Sequence, residues 1–255
     1  VYRRPNIHPL EETQMKQKQS GFTLIEIAIV LVIIGLLLGG VLKGQELINS
    51  AKVKNLATDF KNIPVFIYGY QDKFRAIPGD DGKAASHVTG ATEASTPTTG
   101  LNGVLCTPAA GNAGCVANGV LDGFWNSITP SDESVLFWQH VRLAGLAPGS
   151  TTPGVEGYMP QNAVGGEIGI QGGTSSLSTT PITNNAGSLA IRGSYVICSP
   201  GILGKFAKQL DTQMDDGNPD TGSMMAGPAA AAIGTPIVAE PALEDATTYT
   251  VCMGI

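Results

Sequence analysis

Ser20-Gly21-Phe22-Thr23-Leu24-Ile25-Glu26 opens an apolar run that continues to Leu42, and the rest of the chain is arranged around it. From Phe22 to Leu42 there are 21 residues and one formal charge, Glu26. At about 1.5 Å of rise per residue, a helix of this length spans a hydrocarbon core of about 30 Å. An ionised carboxylate inside that core costs about 2.5 kcal/mol or more. Glu26 therefore needs a partner.

The hexapeptide Gly21-Phe22-Thr23-Leu24-Ile25-Glu26 ahead of an apolar run resembles the processing site of type IV prepilins and of the related type II secretion pseudopilins, a class III signal peptide. The resemblance extends from residue 20 to about residue 60, and the remaining chain is similar to the family in layout alone. It implies a membrane-embedded prepilin peptidase that cuts after Gly21 and methylates the new amino terminus, Phe22. It also implies that Glu26 pairs with the terminal amine of a neighbouring subunit during assembly. A plain signal anchor would leave the acid unexplained. A secretory signal peptide would have a shorter apolar core with small residues at its far end, which Gly39-Gly40 can imitate, and cleavage would remove that core. The polar residues before Gly21 and the long run behind it fit prepilin processing better.

Beyond the apolar run about 210 residues remain, enough for one globular domain on a stalk. The leader carries Arg3, Arg4, Lys16 and Lys18 against Glu11 and Glu12, a balance of +2, so the chain's net −6 becomes −8 after cleavage. Such acidity argues against a nucleic-acid surface, which needs clustered Lys and Arg to displace counterions from phosphate. Four basic residues before the run are matched by Lys43, Lys52, Lys54 and Lys61 after it, so the positive-inside count is a tie. Orientation follows instead from the resemblance, which puts the leader in the cytoplasm, and from the cysteines. Cys106, Cys115, Cys198 and Cys252 all lie outside the apolar run, and an even number there suits an oxidising compartment. Three pairings are possible. Those favoured are Cys106 with Cys115, which bracket a short Gly/Ala/Asn loop, and Cys198 with Cys252, which sit on two strand-like stretches.

Residues 1–21 are polar, carry Pro5 and Pro9, and read as a removable leader. Residues 22–42 form the membrane or filament-core helix, and 43–76 its amphipathic continuation. There Leu56, Phe60, Ile63, Ile67, Tyr70 and Phe74 share one face, with Lys54, Asp59, Lys61 and Asp72 between them. Pro64 should kink this helix. Ile77-Pro78-Gly79-Asp80-Asp81-Gly82 stops it and opens the head, 77–255. From Gly82 to about Gly123 the composition reads as a surface excursion. A helix with Thr129 as cap and Pro130 at its first position follows, then a weak strand near Glu167 to Gln171. Ser188 to Ser199 is the best strand, with Leu189, Ile191, Tyr195 and Ile197 on one face and Pro200-Gly201 as its breaker. A helix from about Ile202 to Met214, an Ala/Pro/Gly linker and a strand from Thr247 to Met253 complete the chain. The expected architecture is an α+β, pilin-like lollipop: a long amino-terminal helix packed on a small antiparallel sheet with long loops.

No Gly-x-Ser-x-Gly elbow, His-Glu-x-x-His pair, phosphate loop or dinucleotide fingerprint is present, so the chain is not expected to be an enzyme. Asp216-x-Asn218-x-Asp220 offers hard oxygens at alternating positions, as at the start of a calcium loop. Its glycine is misplaced by one and no bidentate Glu follows, so the EF-hand reading fails and a plain Asx-rich turn is favoured; no cofactor is expected, with calcium as the alternative that the resemblance implies, since some pseudopilins bind it in their C-terminal loops. The resemblance implies a subunit of a type IV pilus or pilus-like filament, with copies of itself, the peptidase and an assembly platform as partners. It would reside first in a bacterial inner membrane, with its head in the periplasm, and then in an extracellular pilus or periplasmic pseudopilus. The alternative is a minor or tip subunit whose head is a binding module for adhesion, DNA uptake or secreted substrates.

Overall fold

Helix α1, Leu24–Phe74, leads the structure, a computed structural model that describes residues 21–94, 116–230 and 232–255. The chain divides into two compact units, 1–47 and 48–255. In the first, every Leu, Ile and Val between Leu24 and Leu42 is exposed, and the helix is long and apolar enough to cross a membrane. Water does not tolerate so continuous an apolar surface, which therefore calls for lipid or protein around it.

In the second unit α1 becomes one-sided. Val53, Leu56, Ala57, Phe60, Ile63, Ile67 and Tyr70 are buried, while Lys54, Lys61 and Asp72 stay in solvent. The helix continues through Pro64, whose ring denies the Phe60 carbonyl its usual amide donor. It ends at Phe74, two residues before the expected end, where Arg75 takes a positive φ of 57°.

Nine further elements are described in the head, most of them short. Helices α2 (Ala84–His87), α3 (Glu133–Leu143) and α4 (Gly204–Met214) alternate with strands β1 (Gly169–Gly172), β2 (Ile182–Thr183), β3 (Tyr195–Leu203), β4 (Met224–Gly227), β5 (Ile237–Val238) and β6 (Thr248–Gly254). Four strands form an antiparallel sheet in the order β1-β3-β6-β4, and β2 pairs with β5 in parallel. One sheet face, with Ile170, Ile197, Ile202, Val251 and Met253, packs in a single cluster with α1, with Phe137, Trp138 and Val141 of α3, and with Phe206 and Leu210 of α4. The opposite face, with Val196, Cys198, Met225 and Cys252, is covered by Ile182, Ile237, Trp125 and Ile191. Cys198 and Cys252 are direct cross-strand partners joined in a disulfide, their Cα atoms 4.1 Å apart. Cys106 and Cys115 lie outside the described residues.

Several expectations are corrected by this arrangement. The best strand starts at Tyr195 and not at Ser188, because the chain turns at Gly193, φ 156°, before joining the sheet. Ile191 consequently packs with Cys198 on the face opposite Ile197, and Leu189 is exposed. Pro200-Gly201 does not break the strand. Two residues there face one on β6 between the Ser199–Val251 and Ile202–Tyr249 pairs, so the sheet absorbs the missing proline amide as a bulge. Helix α3 has Asp132 as its N-cap, since Thr129 and Asp132 first close a backbone turn. The Ala/Pro/Gly stretch before Thr247 is not a plain linker, because it contains β4, an edge strand of the sheet. The face bearing the cysteines is a second small core, because β2 and β5 cover it.

Candidate functional site

The residue before α1, Thr23, and the third residue of the helix, Glu26, cap the helix reciprocally. The Thr23 amide and hydroxyl both donate to Glu26 Oε2 at 2.8 Å, and the Glu26 amide donates back to Thr23 Oγ1 at 3.3 Å. This capping box satisfies amides that the first helical turn leaves without partners. The Thr-x-x-Glu spacing ahead of an apolar run is the signal of this box in the sequence. Glu26 Oε1 accepts no bond from a described residue, so one carboxylate oxygen stays open to an outside donor. Phe22 is 83% exposed, and a Cβ placed on Gly21 would meet nothing within 4 Å. Among the described residues, none packs against Gly21, and Phe22 stays in solvent.

In the head, polar side chains tie the loop after α1 to α3. His140, fully buried, accepts the Gly79 amide at Nδ1 (2.9 Å) and donates from Nε2 to the Thr92 carbonyl (2.7 Å). Both ring nitrogens thus serve structure, and burial lowers the imidazole's pKa. Asp81 accepts from the Tyr70 hydroxyl at 2.8 Å and faces His87 Nδ1 at 2.7 Å. Asp80 accepts the Asn118 and Gly119 amides. Glu133, fully buried at the start of α3, accepts the Asp122 amide at 2.8 Å through Oε2.

Burial pushes the Glu133 carboxyl up to about 10; the Asp122 amide works against this, and the charges of Asp80 and Asp122 add to it. Glu133 therefore keeps a proton in the folded chain that it releases in the unfolded chain above its ordinary value of 4.5. Stability contributed by this group is complete below that value and is lost as pH rises toward about 10, by at most about 1.4 kcal/mol per pH unit. Glu133→Gln retains an acceptor for the Asp122 amide and has no proton to lose. Urea unfolding at pH 5, 7 and 9 is expected to show a flatter pH dependence for the variant, with a gain of about 2 kcal/mol or more at the alkaline end. A destabilised variant with an unchanged slope would show that Glu133 is ionised in the fold.

The Asp216, Asn218 and Asp220 candidates lie in the loop after α4 as successive Asx turns. Asp216 Oδ1 accepts the Asn218 amide at 2.8 Å, Asn218 Oδ1 accepts the Asp220 amide at 3.3 Å, and Asp220 accepts the amide of Asn185. Asp220 is thereby committed to the β2 side of the head. The structure groups Asp216 instead with Asp211 and Asp215. Asp211 passed unnoticed because in sequence it is one polar position on an amphipathic helix.

No curated protein matches the chain as a whole. Residues 16–42 match the family model of the prokaryotic N-terminal methylation motif, and with it the chain carries the class III signal peptide typical of type IV pilins and pseudopilins.

Proposed function

We propose that the chain is a structural subunit of a type IV pilus or pilus-like filament, cut after Gly21 and methylated at Phe22 by prepilin peptidase. Before assembly it sits in a bacterial inner membrane through residues 22–42, with its head in the periplasm. An assembly platform then draws it into a helical filament, where the apolar half of α1 forms the core and the head the outer surface. The observation that carries this reading is the methylation motif over residues 16–42 on a helix whose Leu, Ile and Val side chains from Leu24 to Leu42 are exposed.

The glycines of that helix support it. Gly35, Gly39, Gly40 and Gly44 each cost helix stability, about 1 kcal/mol relative to Ala, yet a Cβ at any of them would meet nothing within 4 Å in this chain. Close approach of a second helix accounts for their presence. Glu26 supports it too: its Oε1 accepts no bond from a described residue, and pairing with the Phe22 amine of an adjacent subunit relieves a charge otherwise stranded in hydrocarbon.

Mass spectrometry of filaments sheared from the producing cells tests this directly. The expected result is a chain beginning at N-methylated Phe22 as an abundant filament component. A chain that keeps residues 1–21 and stays in the membrane fraction would overturn the assignment.

A further inference from the structure

Where β1 and β3 part, a strand edge is left without a neighbour. The two strands stay paired up to Gly172 and Tyr195, and the Gly173 amide still reaches the Ser194 carbonyl at 2.9 Å. The segment that precedes β3, residues 188–192, instead lies against β2. There the Asn184 amide donates to the Leu189 carbonyl at 2.9 Å and the Ile191 amide to the Ile182 carbonyl at 3.2 Å, with Thr183 and Ala190 facing each other. These bonds flank Ala190, so in an antiparallel ladder its own N–H and C=O point away from β2. Among the described residues neither group has a hydrogen-bond partner, nor have the Ser188 carbonyl and the Arg192 amide.

The fork between the two segments is open. A cavity of about 480 Å³ lies between Gly173, Thr174, Ser175 and Leu177 on one wall and residues 188–193 on the other. Leu177 and Leu189 are 43% and 56% exposed, so apolar surface flanks the free backbone groups. A second hollow, of about 370 Å³, shares Leu189, Ala190 and Arg192 and reaches Asp220 and Met225. Asp220 is occupied there by the Asn185 amide. Arg192 is exposed, forms no ion pair with a described residue, and is the one charged side chain lining the fork cavity among the described residues. Residues 188–193 contain neither Pro nor Lys, with which sheets commonly guard their edges.

We propose that this edge docks an extended acidic peptide segment of a partner protein, which adds to the β2–β5 sheet as a strand beside residues 188–192. Backbone donors and acceptors repeating at strand spacing are matched by another strand and not by a compact ligand. Five residues offer about 16 Å of edge. An apolar side chain of the incoming strand covers Leu177 and Leu189, and a carboxylate meets Arg192 in a charge-assisted bond. One guanidinium is too little for a nucleic-acid backbone, which needs clustered cations. Pairing with the same edge of a second copy would leave both Arg192 side chains without a counter-charge, since residues 188–193 hold no acid.

Amide hydrogen exchange and fluorescence-anisotropy titration of the full chain in detergent test this. The probe is a blocked seven-residue peptide alternating valine and glutamate, and the control replaces each glutamate by lysine. The glutamate peptide is expected to bind saturably, to slow exchange of the Ala190 and Arg192 amides, and to bind at least about tenfold more tightly than the control. Ala190→Pro removes a donor that serves no bond among the described residues. It should leave the melting temperature near that of the unaltered chain and weaken binding about tenfold or more. Arg192→Glu keeps the backbone edge and should reverse the preference between the two peptides, which reads the site even where proline disturbs the loop. Equal affinity for both peptides, no saturable binding of the glutamate peptide up to about 1 mM, or binding that survives both substitutions would overturn the proposal. Protection of residues 188–192 that grows with protein concentration in peptide-free samples would give the edge to a second copy and overturn it as well.

Discussion

Glu26→Ala is expected to leave cleavage after Gly21 intact and to abolish filament assembly. The substitution removes two things at once. Loss of the Thr23–Glu26 capping box costs the helix about 1 kcal/mol, which a 51-residue helix tolerates. Loss of the carboxylate leaves a neighbour's terminal amine without a counter-ion in hydrocarbon, at about 3–5 kcal/mol. That difference lowers the affinity of subunit addition by at least about a hundredfold. Glu26→Gln separates the contributions, because a glutamine at the third helical position can still accept the Thr23 amide but carries no charge. Assembly by the Gln variant and not by the Ala variant would assign Glu26 to capping; failure of both, with normal processing on immunoblots of membranes, is the expected result. Normal filament yield from Glu26→Ala would remove the pairing role altogether.

Gly21→Val is expected to trap the full-length precursor in the membrane. No described residue demands glycine at this position: its φ is not in the left-handed region, and a Cβ would meet no described atom within 4 Å. The folded chain therefore accepts valine without strain. Any loss of processing comes from the peptidase, which must bring its catalytic groups against the Gly21–Phe22 bond. Blots against the head would show one precursor-sized band and no filaments. Processing at the normal rate would move the cut away from Gly21.

The two variants differ in what they leave behind. On the proposed function, Gly21→Val acts on the bond before maturation, whereas Glu26→Ala acts on a mature subunit that waits in lipid. A membrane fraction holding mature protein in one strain and precursor in the other would order the two events.

Some of this molecule is local in its physics. A run of 21 residues with one charge, the Thr-x-x-Glu cap and the Leu56, Phe60, Ile63, Ile67, Tyr70 stripe act through neighbours three or four positions away, so their consequences can be read one segment at a time. The same holds for β6, where alternation sends Tyr249, Val251 and Met253 toward α1 and Cys252 away from it. Cys198 and Cys252 could be paired because each sits on a strand whose other face is more apolar.

Long-range contacts leave no mark on the residues next to them in sequence. Strand β4 has no alternation to announce it, since both its faces are buried. The bulge at Pro200-Gly201 exists because β6 offers one residue opposite two, which no inspection of 195–203 alone can reveal. Glu133 and Asp211 look like ordinary surface acids on amphipathic helices until the fold closes over them.

The amino-acid sequence by itself therefore determined the anchoring helix, its processing signal, its buried-to-be stripe and the α+β class, because helical period and unbroken apolarity are properties of neighbouring residues. Tertiary structure alone decided the sheet order, the second core behind the disulfide, and which acids lose their water, because burial is set by what another part of the chain places on top of a residue.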